Sequence, residues 1–399
     1  MVSALQDDEK GFLGLHEADI GYHRENFDLT LSGIVDTEAY LIRDSAPGFI
    51  LAARDPLWNG RGTFFLDAGF GKHLSFFAQA RVDRGFDAHW EETLDMRLDE
   101  WFARYTTDGE GWSVSAQVGK FATPIGNFVP RHDSMHNPFV RAPMLYDHVT
   151  TISDDGAPTD NDDLINARDE LIGNEQKETW APVIWGPSYG TGAMVFATVG
   201  RLDLRLALTN ATPCERPEEW NWRGGKLRDM AWAGRVGWNP FIGFKVGVNA
   251  AYGPYYRDIA LDSLPQGKHK SDYPQRLLGV DLEYSIGHFL LYGEGYLSQW
   301  AAPNLGNDPR TFAYYIEAKY KLFPGFYVAG RWNQMLFSKL TTGAGDSATW
   351  NRDAYRVQIA AGYFIEVNLL VKAEYDFNVL RGPNDPRDNM ASFSLSLSF

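Results

Sequence analysis

The chain reads as an all-β protein: a transmembrane antiparallel β-barrel of about sixteen strands with a long third loop folded inward. Three observations lead there. Along most of its length apolar and polar residues alternate with a period of two, the mark of a strand with different surroundings on its two faces. The connections between these segments are alternately short and long. The last segment sets Phe393, Leu395, Leu397 and Phe399 against Ser392, Ser394, Ser396 and Ser398.

Composition narrows the choice. The 399 residues carry a formal net charge of -15, which argues against a nucleic-acid partner because phosphate binding needs a concentrated basic surface. The single cysteine, Cys214, excludes an internal disulfide framework and a cysteine-rich metal site. No run of about 18 apolar residues exists, so no transmembrane helix is expected. Met1 to Lys10 is polar and acidic, with no basic-then-apolar secretion segment before Gly11, so an exported protein would be a mature form or carry a mis-assigned start. Aromatic residues at 14% with 39 glycines and a mean hydropathy of -0.33 suit a membrane barrel, whose alternating strands escape hydropathy averaging.

Residues 1–28 are weakly patterned and are expected to form an N-terminal extension, with the barrel over 29–399. The first strand, 29–43, places Leu29, Leu31, Val35, Ala39 and Leu41 on one side and Thr30, Ser32, Asp36 and Glu38 on the other. Strands 61–71 and 74–84 put Asp67, Arg81 and Asp83 on the polar side, and 93–105 puts Asp95, Arg97 and Asp99 there. Strands 112–121 and 191–199 place no charge on the polar side, and the facing of the second is ambiguous. Next come 201–209 with Asp203 and Arg205, 228–239 with Arg235, 242–253 with Lys245, and 275–285 with Asp281 and Glu283. In 288–299 the facing is again ambiguous, and Glu294 is assigned inward. The series closes with 310–322 (Glu317, Lys319), 325–336 (Arg331), 352–363 (Arg356), 366–377 (Lys372, Glu374, Asp376) and the serine-lined 388–399.

Connections after even strands are short, near Lys72-His73, Thr106 to Gly111, Gly200, Pro240-Phe241, Ile286-Gly287, Phe323-Pro324 and Phe364-Ile365. Those after odd strands are almost all long: 44–60, 122–190, 210–227, 254–274, 300–309, 337–351 and 378–387. All turns therefore sit at one end and all loops at the other, as in an outer-membrane barrel and unlike a soluble sandwich. Outward-parity aromatics beside the short turns (Phe70, Trp112, Trp238, Tyr284, Tyr320, Phe326, Tyr363) supply an interfacial girdle. A terminal phenylalanine closing an alternating strand resembles the C-terminal signature by which such barrels are recognised for assembly. Few charges fall on the outward side, where a basic residue at the midplane costs roughly 2 to 4 kcal/mol. Glu100 and Arg104 break the rule, and a bulge or a subunit contact would explain them.

A lumen lined by so many charges must be wet, and about sixteen strands enclose an aqueous channel. Residues 122–190 hold no sustained pattern and are acidic: Asp133, Asp147, Asp154, Asp155, Asp160, Asp162, Asp163, Asp169 and Glu170. Facing wall bases Arg81, Arg97, Arg205 and Arg235, they would set a transverse field across a constriction. The alternative leaves them on an exposed external lip. Arg131 and Arg141 are either an anion path or pins that fix the loop to the wall; Arg331, Arg356, Asp36 and Glu38 complete the expected pore wall.

The stretch Leu98-Asp99-Glu100-Trp101-Phe102-Ala103-Arg104-Tyr105, followed by Val118-Gly119-Lys120-Phe121-Ala122-Thr123-Pro124-Ile125-Gly126, resembles the phosphate-selective porin O/P family. There an acidic-aromatic strand precedes a Gly-x-Phe-x-x-Pro-x-Gly start to the third loop. The resemblance implies a homotrimeric sixteen-stranded porin of the bacterial outer membrane, surrounded by lipid and passing small hydrophilic solutes or ions. It does not carry anion selectivity over, because that rests on a dense arginine and lysine path and this loop is acidic. A structural barrel sheathing a partner protein and an anion or phosphate channel are the alternatives.

Other motifs are weaker. Gly186-Pro187-Ser188-Tyr189-Gly190 matches a hydrolase elbow but leads into a strand rather than a helix, and no base accompanies it, so no enzyme is expected. His132 and His136 have helical metal-pair spacing, yet Pro130 and Pro138 bracket them. Asp160, Asp162 and Asp163 are a weak Ca²⁺ candidate with no EF-hand spacing. No cofactor is implied.

Overall fold

The computed structural model describes residues 20–42, 56–83, 95–170, 180–216, 229–381 and 389–399. Sixteen long strands form one closed antiparallel barrel. They are β1 (Phe27–Ile42), β2 (Leu57–Phe70), β3 (Leu74–Asp83), β4 (Asp95–Gly109), β5 (Trp112–Ala122), β6 (Tyr189–Val199), β7 (Leu202–Thr209) and β8 (Ala231–Phe241). The second half comprises β9 (Phe244–Pro254), β10 (Pro274–Ile286), β11 (Phe289–Trp300), β12 (Arg310–Phe323), β13 (Phe326–Phe337), β14 (Ala354–Glu366), β15 (Leu369–Leu380) and β16 (Met390–Ser398). Each strand pairs with the next, and β16 closes on β1 from Ile34 opposite Ser398 to Ile42 opposite Met390. A closed ring leaves no sheet edge, which is what lets strands cross a lipid bilayer.

Period-two sequence becomes in-and-out facing. In β16 Ser392, Ser394 and Ser396 are buried while Phe393 and Leu395 are exposed; in β8 Arg235 is buried while Val236 and Trp238 are exposed. The outer surface is an apolar band that includes Val248, Val280, Ile316 and Ile359. Beside the short turns Phe70, Trp112, Trp238, Tyr320 and Tyr363 are exposed, and Phe27 meets Phe70 at 5.2 Å and Phe323 meets Phe326 at 4.9 Å. Rings here bridge hydrocarbon and headgroup layers. No helix among the described residues is long and apolar enough to cross a membrane.

Two expectations change. Residues 20–28 are not all extension: Ile20–Arg24 pairs with the start of β1, Ile20 opposite Leu31, and Phe399 exchanges backbone hydrogen bonds with Gly33 just beyond it. Thus the short strand and β16 flank β1 on the same side, one after the other. Glu100 and Arg104 face the lumen after all. The β3–β4 register slips between Gln79 and Ala80, which pair with Glu100 and Leu98, so Asp99 is an extra residue and Asp99 and Glu100 both point inward. A bulge of this kind inverts the parity of everything beyond it. In the two strands of ambiguous facing, Met194 in β6 and Glu294 in β11 are buried inward.

The third loop fills one side of the barrel. It contains a short helix α1 (Met144–Asp147), paired strands Val149–Ser153 and Trp180–Pro182, and helix α2 (Asn161–Glu170). Ile125, Phe128, Met144, Leu145, Tyr146, Ile152, Leu164 and Ile184 pack with inward side chains Tyr296, Trp300, Tyr315 and Met335 into one apolar cluster. A segment with no sequence periodicity thus has a core of its own.

Candidate functional site

The site begins where the loop begins. Gly119 has φ +143°, and a Cβ there would lie 2.1 Å from the Trp101 carbonyl; Gly126 has φ +73°, and a Cβ would lie 2.6 Å from the Glu294 carboxylate. Both positions require glycine, by conformation and by space. Between them Phe121 is buried against Phe102, Met194 and Ala207. The Gly-x-Phe-x-x-Pro-x-Gly pattern is therefore the device that turns the chain from the wall into the lumen.

From Gly126 onward the loop is tied to the inner face of β9–β15. Glu294 accepts from the backbone N–H groups of Asn127 (2.7 Å) and Phe128 (2.6 Å) and from the hydroxyls of Tyr146 (2.5 Å) and Tyr315 (3.0 Å). Arg131 pairs with Glu317 at 2.7 Å, and Glu317 pairs with Arg331 at 2.7 Å. Arg331 in turn donates to the Arg141 carbonyl and to Asn137. Lys372 donates to the carbonyls of Ser134, Asn137 and Phe139, while Glu374 accepts from the Arg141 N–H. Asp147 is gripped by Arg141 (2.7 Å) and Arg356 (3.1 Å). Removing one member of such a buried pair leaves its partner uncompensated, at about 3–5 kcal/mol.

A cavity of about 620 Å³ lies between the loop and the arc β1–β7. The wall contributes Asp36, Arg61, Asp67, Arg81, Glu100, Arg104, Gln117 and Arg205, and the loop contributes Thr123, Phe128, Pro130, His132, Asp133 and Ser134. Arg61 pairs with Asp36 (3.3 Å) and with Glu38; Arg81 pairs with Asp99 (2.9 Å); Arg97 pairs with Asp83 (2.6 Å); Arg205 pairs with Asp203 (3.1 Å). Arg235, beside them, is held by Asp203 and Asp281.

The residues expected at a constriction thus separate into three places. Among the described loop acids only Asp133 lines the cavity, with His132 beside it and His136 hydrogen-bonded to its carboxylate at 2.8 Å. Burial raises the Asp133 carboxyl, but the hydrogen bond and charge of His136 override it and hold it below the usual range. That same bond raises His136 against the effect of burial, whereas burial, seconded by Arg81, lowers His132. Asp154 and Asp155 tie the loop to its neighbours instead: Arg216 reaches both, at 3.0 and 3.2 Å, and Arg257 reaches Asp155 at 2.8 Å. Burial pushes Asp154 up to about 6 despite Arg216.

Asp160, just before α2, and Asp162 and Asp163, in its first turn, lie away from the cavity lining. Asp160 accepts from the Asp163 N–H, Asp163 from Thr159, and Asp162 from the Gly343 N–H of the loop after β13. The three carboxylates serve different backbone groups and do not converge, and no group of three metal-ligating side chains occurs among the described residues. The acidic loop facing Arg97 and Arg235 is therefore not the arrangement present. Arg131 and Arg141 are pins. Arg331, Arg356 and Glu294 lie under the loop, and Asp36, Glu38, Arg81 and Arg205 belong to the open arc. The side chains of Asp95, Asp169 and Glu170 lie outside the described residues.

Ser188 is buried, and its hydroxyl donates to the Thr212 carbonyl at 3.4 Å as the chain runs into β6. Sequence reasoning missed the aromatic arc Phe65, Phe77, Phe102 and Phe196 on the cavity wall; Phe65 and Phe77 share the parity of Asp67 and Arg81 and were its signal, whereas Phe102, on the same parity as Glu100, was hidden by the bulge.

A closed sixteen-stranded antiparallel barrel, apolar outside and charged inside, with a loop folded against its inner wall, defines a bacterial outer-membrane β-barrel. Solved structures share the architecture. The outer membrane channel DcaP of Acinetobacter baumannii matches 95% of this chain and 99% of its own, with a TM-score of 0.60 and 9% identity. OmpT, an outer membrane protein of Vibrio cholerae, matches 96% and 100% at 0.57 and 10% identity. An anion-selective porin from Comamonas acidovorans matches 94% and 100% at 0.55 and 11% identity. At these identities the likeness is one of fold. No family model matches the chain, and no curated protein matches it.

Proposed function

We propose that this protein is an outer-membrane porin, through which small hydrophilic solutes or ions diffuse passively along a water-filled channel narrowed by the third loop. The observation that carries the reading is the cavity left between that loop and the arc β1–β7, lined by charged groups that only a hydrated passage accommodates. The barrel architecture shared with solved channels supports it, and so does the stretch 98–126, whose likeness to phosphate-selective O/P porins further suggests a homotrimer. Asp36, Asp67, Glu100 and Asp133 balance Arg61, Arg81, Arg104 and Arg205 on the cavity lining, and the further carboxylates Glu38, Asp99 and Asp203, paired with three of these arginines, tip the surroundings negative, so small cations are expected to be favoured over anions.

Reconstitution in a planar bilayer tests this. Stepwise conductance from the purified protein, in coupled triplets and with a cation-directed reversal potential across a KCl gradient, is the expected result. Absence of any conductance would remove the diffusion channel and leave a barrel occupied by a partner.

A further inference from the structure

Among the described residues, every lumen-facing arginine of the strands but one is in an ion pair: Arg61, Arg81, Arg97, Arg205, Arg235, Arg331 and Arg356. The exception is Arg104. Its Nε and one terminal nitrogen both donate to the Gln117 amide oxygen, at 2.9 and 2.7 Å, which fixes the guanidinium and leaves its other edge turned away from that bond. Its carbon lies 4.8 Å from the centroid of Phe102 and 5.2 Å from that of Phe196. A cation held over ring faces remains a full charge, and a fixed guanidinium edge is a ready partner for a carboxylate.

The neighbouring wall is aromatic. Phe77 and Phe102 stack at 5.2 Å and 30°, and Phe65 stacks on Phe77 at 6.3 Å and 28°, so three rings on β2, β3 and β4 make one roughly continuous apolar face in the cavity. In the same cross-strand row, Asp67 sits opposite Phe77, which sits opposite Phe102. Asp67 has no ion pair or hydrogen bond among the described residues, and it feels the charge of Arg104 across the patch. A ring face with a guanidinium in no ion pair at one end, near Glu100, and a carboxylate in no ion pair at the other is an unusual surface for a mere water passage.

We propose that this patch is a solute-binding subsite of the channel for zwitterions that carry a planar apolar ring, that is, aromatic α-amino acids. The ring lies on Phe77 and Phe102, the carboxylate meets the open edge of Arg104, and the ammonium faces Asp67. The flanking acid Glu100 disfavours dianions, and Arg104 disfavours plain cations. The proposal rests on the reading of the protein as a diffusion channel and names the class of solute that lingers in it.

The experiment is solute-induced current interruption in the reconstituted full chain, using phenylalanine, phenylacetate without the ammonium, phenethylamine without the carboxylate, and alanine without the ring. Phenylalanine is expected to interrupt the KCl current at concentrations at least about tenfold below the other three, and Arg104→Gln and Asp67→Asn are each expected to weaken it by about tenfold. Asp160→Asn, just before α2 and away from the cavity lining, is expected to behave as the parent. Arg104→Lys, which keeps the charge without the fork, provides an intermediate should Arg104→Gln fail to yield a heat-resistant barrel. An open KCl channel in which alanine or phenylacetate matches phenylalanine, or in which Asp67→Asn changes nothing, overturns the subsite and leaves the channel standing. A barrel with no KCl current overturns the channel itself.

Discussion

Glu294 shows how much one carboxylate does at the start of the loop: four donors from Asn127, Phe128, Tyr146 and Tyr315 converge on it inside the barrel. Glu294→Ala leaves two backbone N–H groups and the Tyr146 hydroxyl without an acceptor, the Tyr315 hydroxyl keeping Asn127 Oδ1 at 3.0 Å, at about 1–3 kcal/mol for each group that finds no water. Single-channel recording is expected to show a larger and noisier conductance; an unchanged, quiet channel would mean that the other tethers suffice. The facing of Glu294 could be guessed from sequence, but its donors could not, because they come from a stretch without periodicity. Asp133 carries the second prediction. Its bond to His136 is strongest between the ordinary carboxylate value of 3.8 and the ordinary histidine value of 6.5, and it fades as pH rises through the raised His136 value. Because His136 is 71% exposed, the pair contributes at most about 1 kcal/mol, but its neutralisation uncovers the Asp133 charge in the cavity. Cation preference is therefore expected to grow from about pH 6 to about pH 8, and His136→Gln to abolish that dependence. Replacing Asp160, Asp162 and Asp163 together by Asn should move the reversal potential less than Asp133→Asn alone. Those three acids were grouped with Asp133 at the sequence level because charge count is legible there and depth is not.

At the scale of elements, the bulge in β4 is a reversible inversion of facing. Asp99 is the extra residue, so a chain lacking it would pair Gln79 and Ala80 with successive residues and still aim Glu100, Phe102 and Arg104 inward. Deleting Asp99 is expected to give a heat-resistant barrel, with Arg81 deprived of its partner and a reversal potential displaced toward anions. Deleting Ala103 instead would turn Arg104 toward lipid, at roughly 2 to 4 kcal/mol, and should sharply lower the yield of folded barrel on a gel-shift assay. Equal yields for the two deletions would show that facing is not what the bulge governs. Strand number, order and turn-end aromatics were readable because each strand has one lipid face, and a two-residue period leaves little choice there. The bulge was not, since Glu100 and Arg104 recorded only that something had slipped. The short strand Ile20–Arg24 was equally silent: all five of its residues are exposed, so no core stamps an alternation on it.

For the whole molecule, the in-or-out assignment said which side chains enter the barrel but not which of them the loop covers. Glu317 and Arg331 are as inward as Arg81 and Arg205, yet the first two are sealed with Arg131 and the others look into the cavity. The arcs should answer differently to mutation. Glu317→Ala is expected to lower the unfolding temperature with little change in ion preference, and Arg205→Ala to shift ion preference with little change in unfolding; one pattern for both would contradict the division. That division also bears on how such a protein changes over generations. The anchoring arc β9–β15 carries the ion pairs that hold the loop, whereas β1–β7 faces the passing solutes, so a lineage is free to retune its diet on one side of the ring without loosening the bolts on the other.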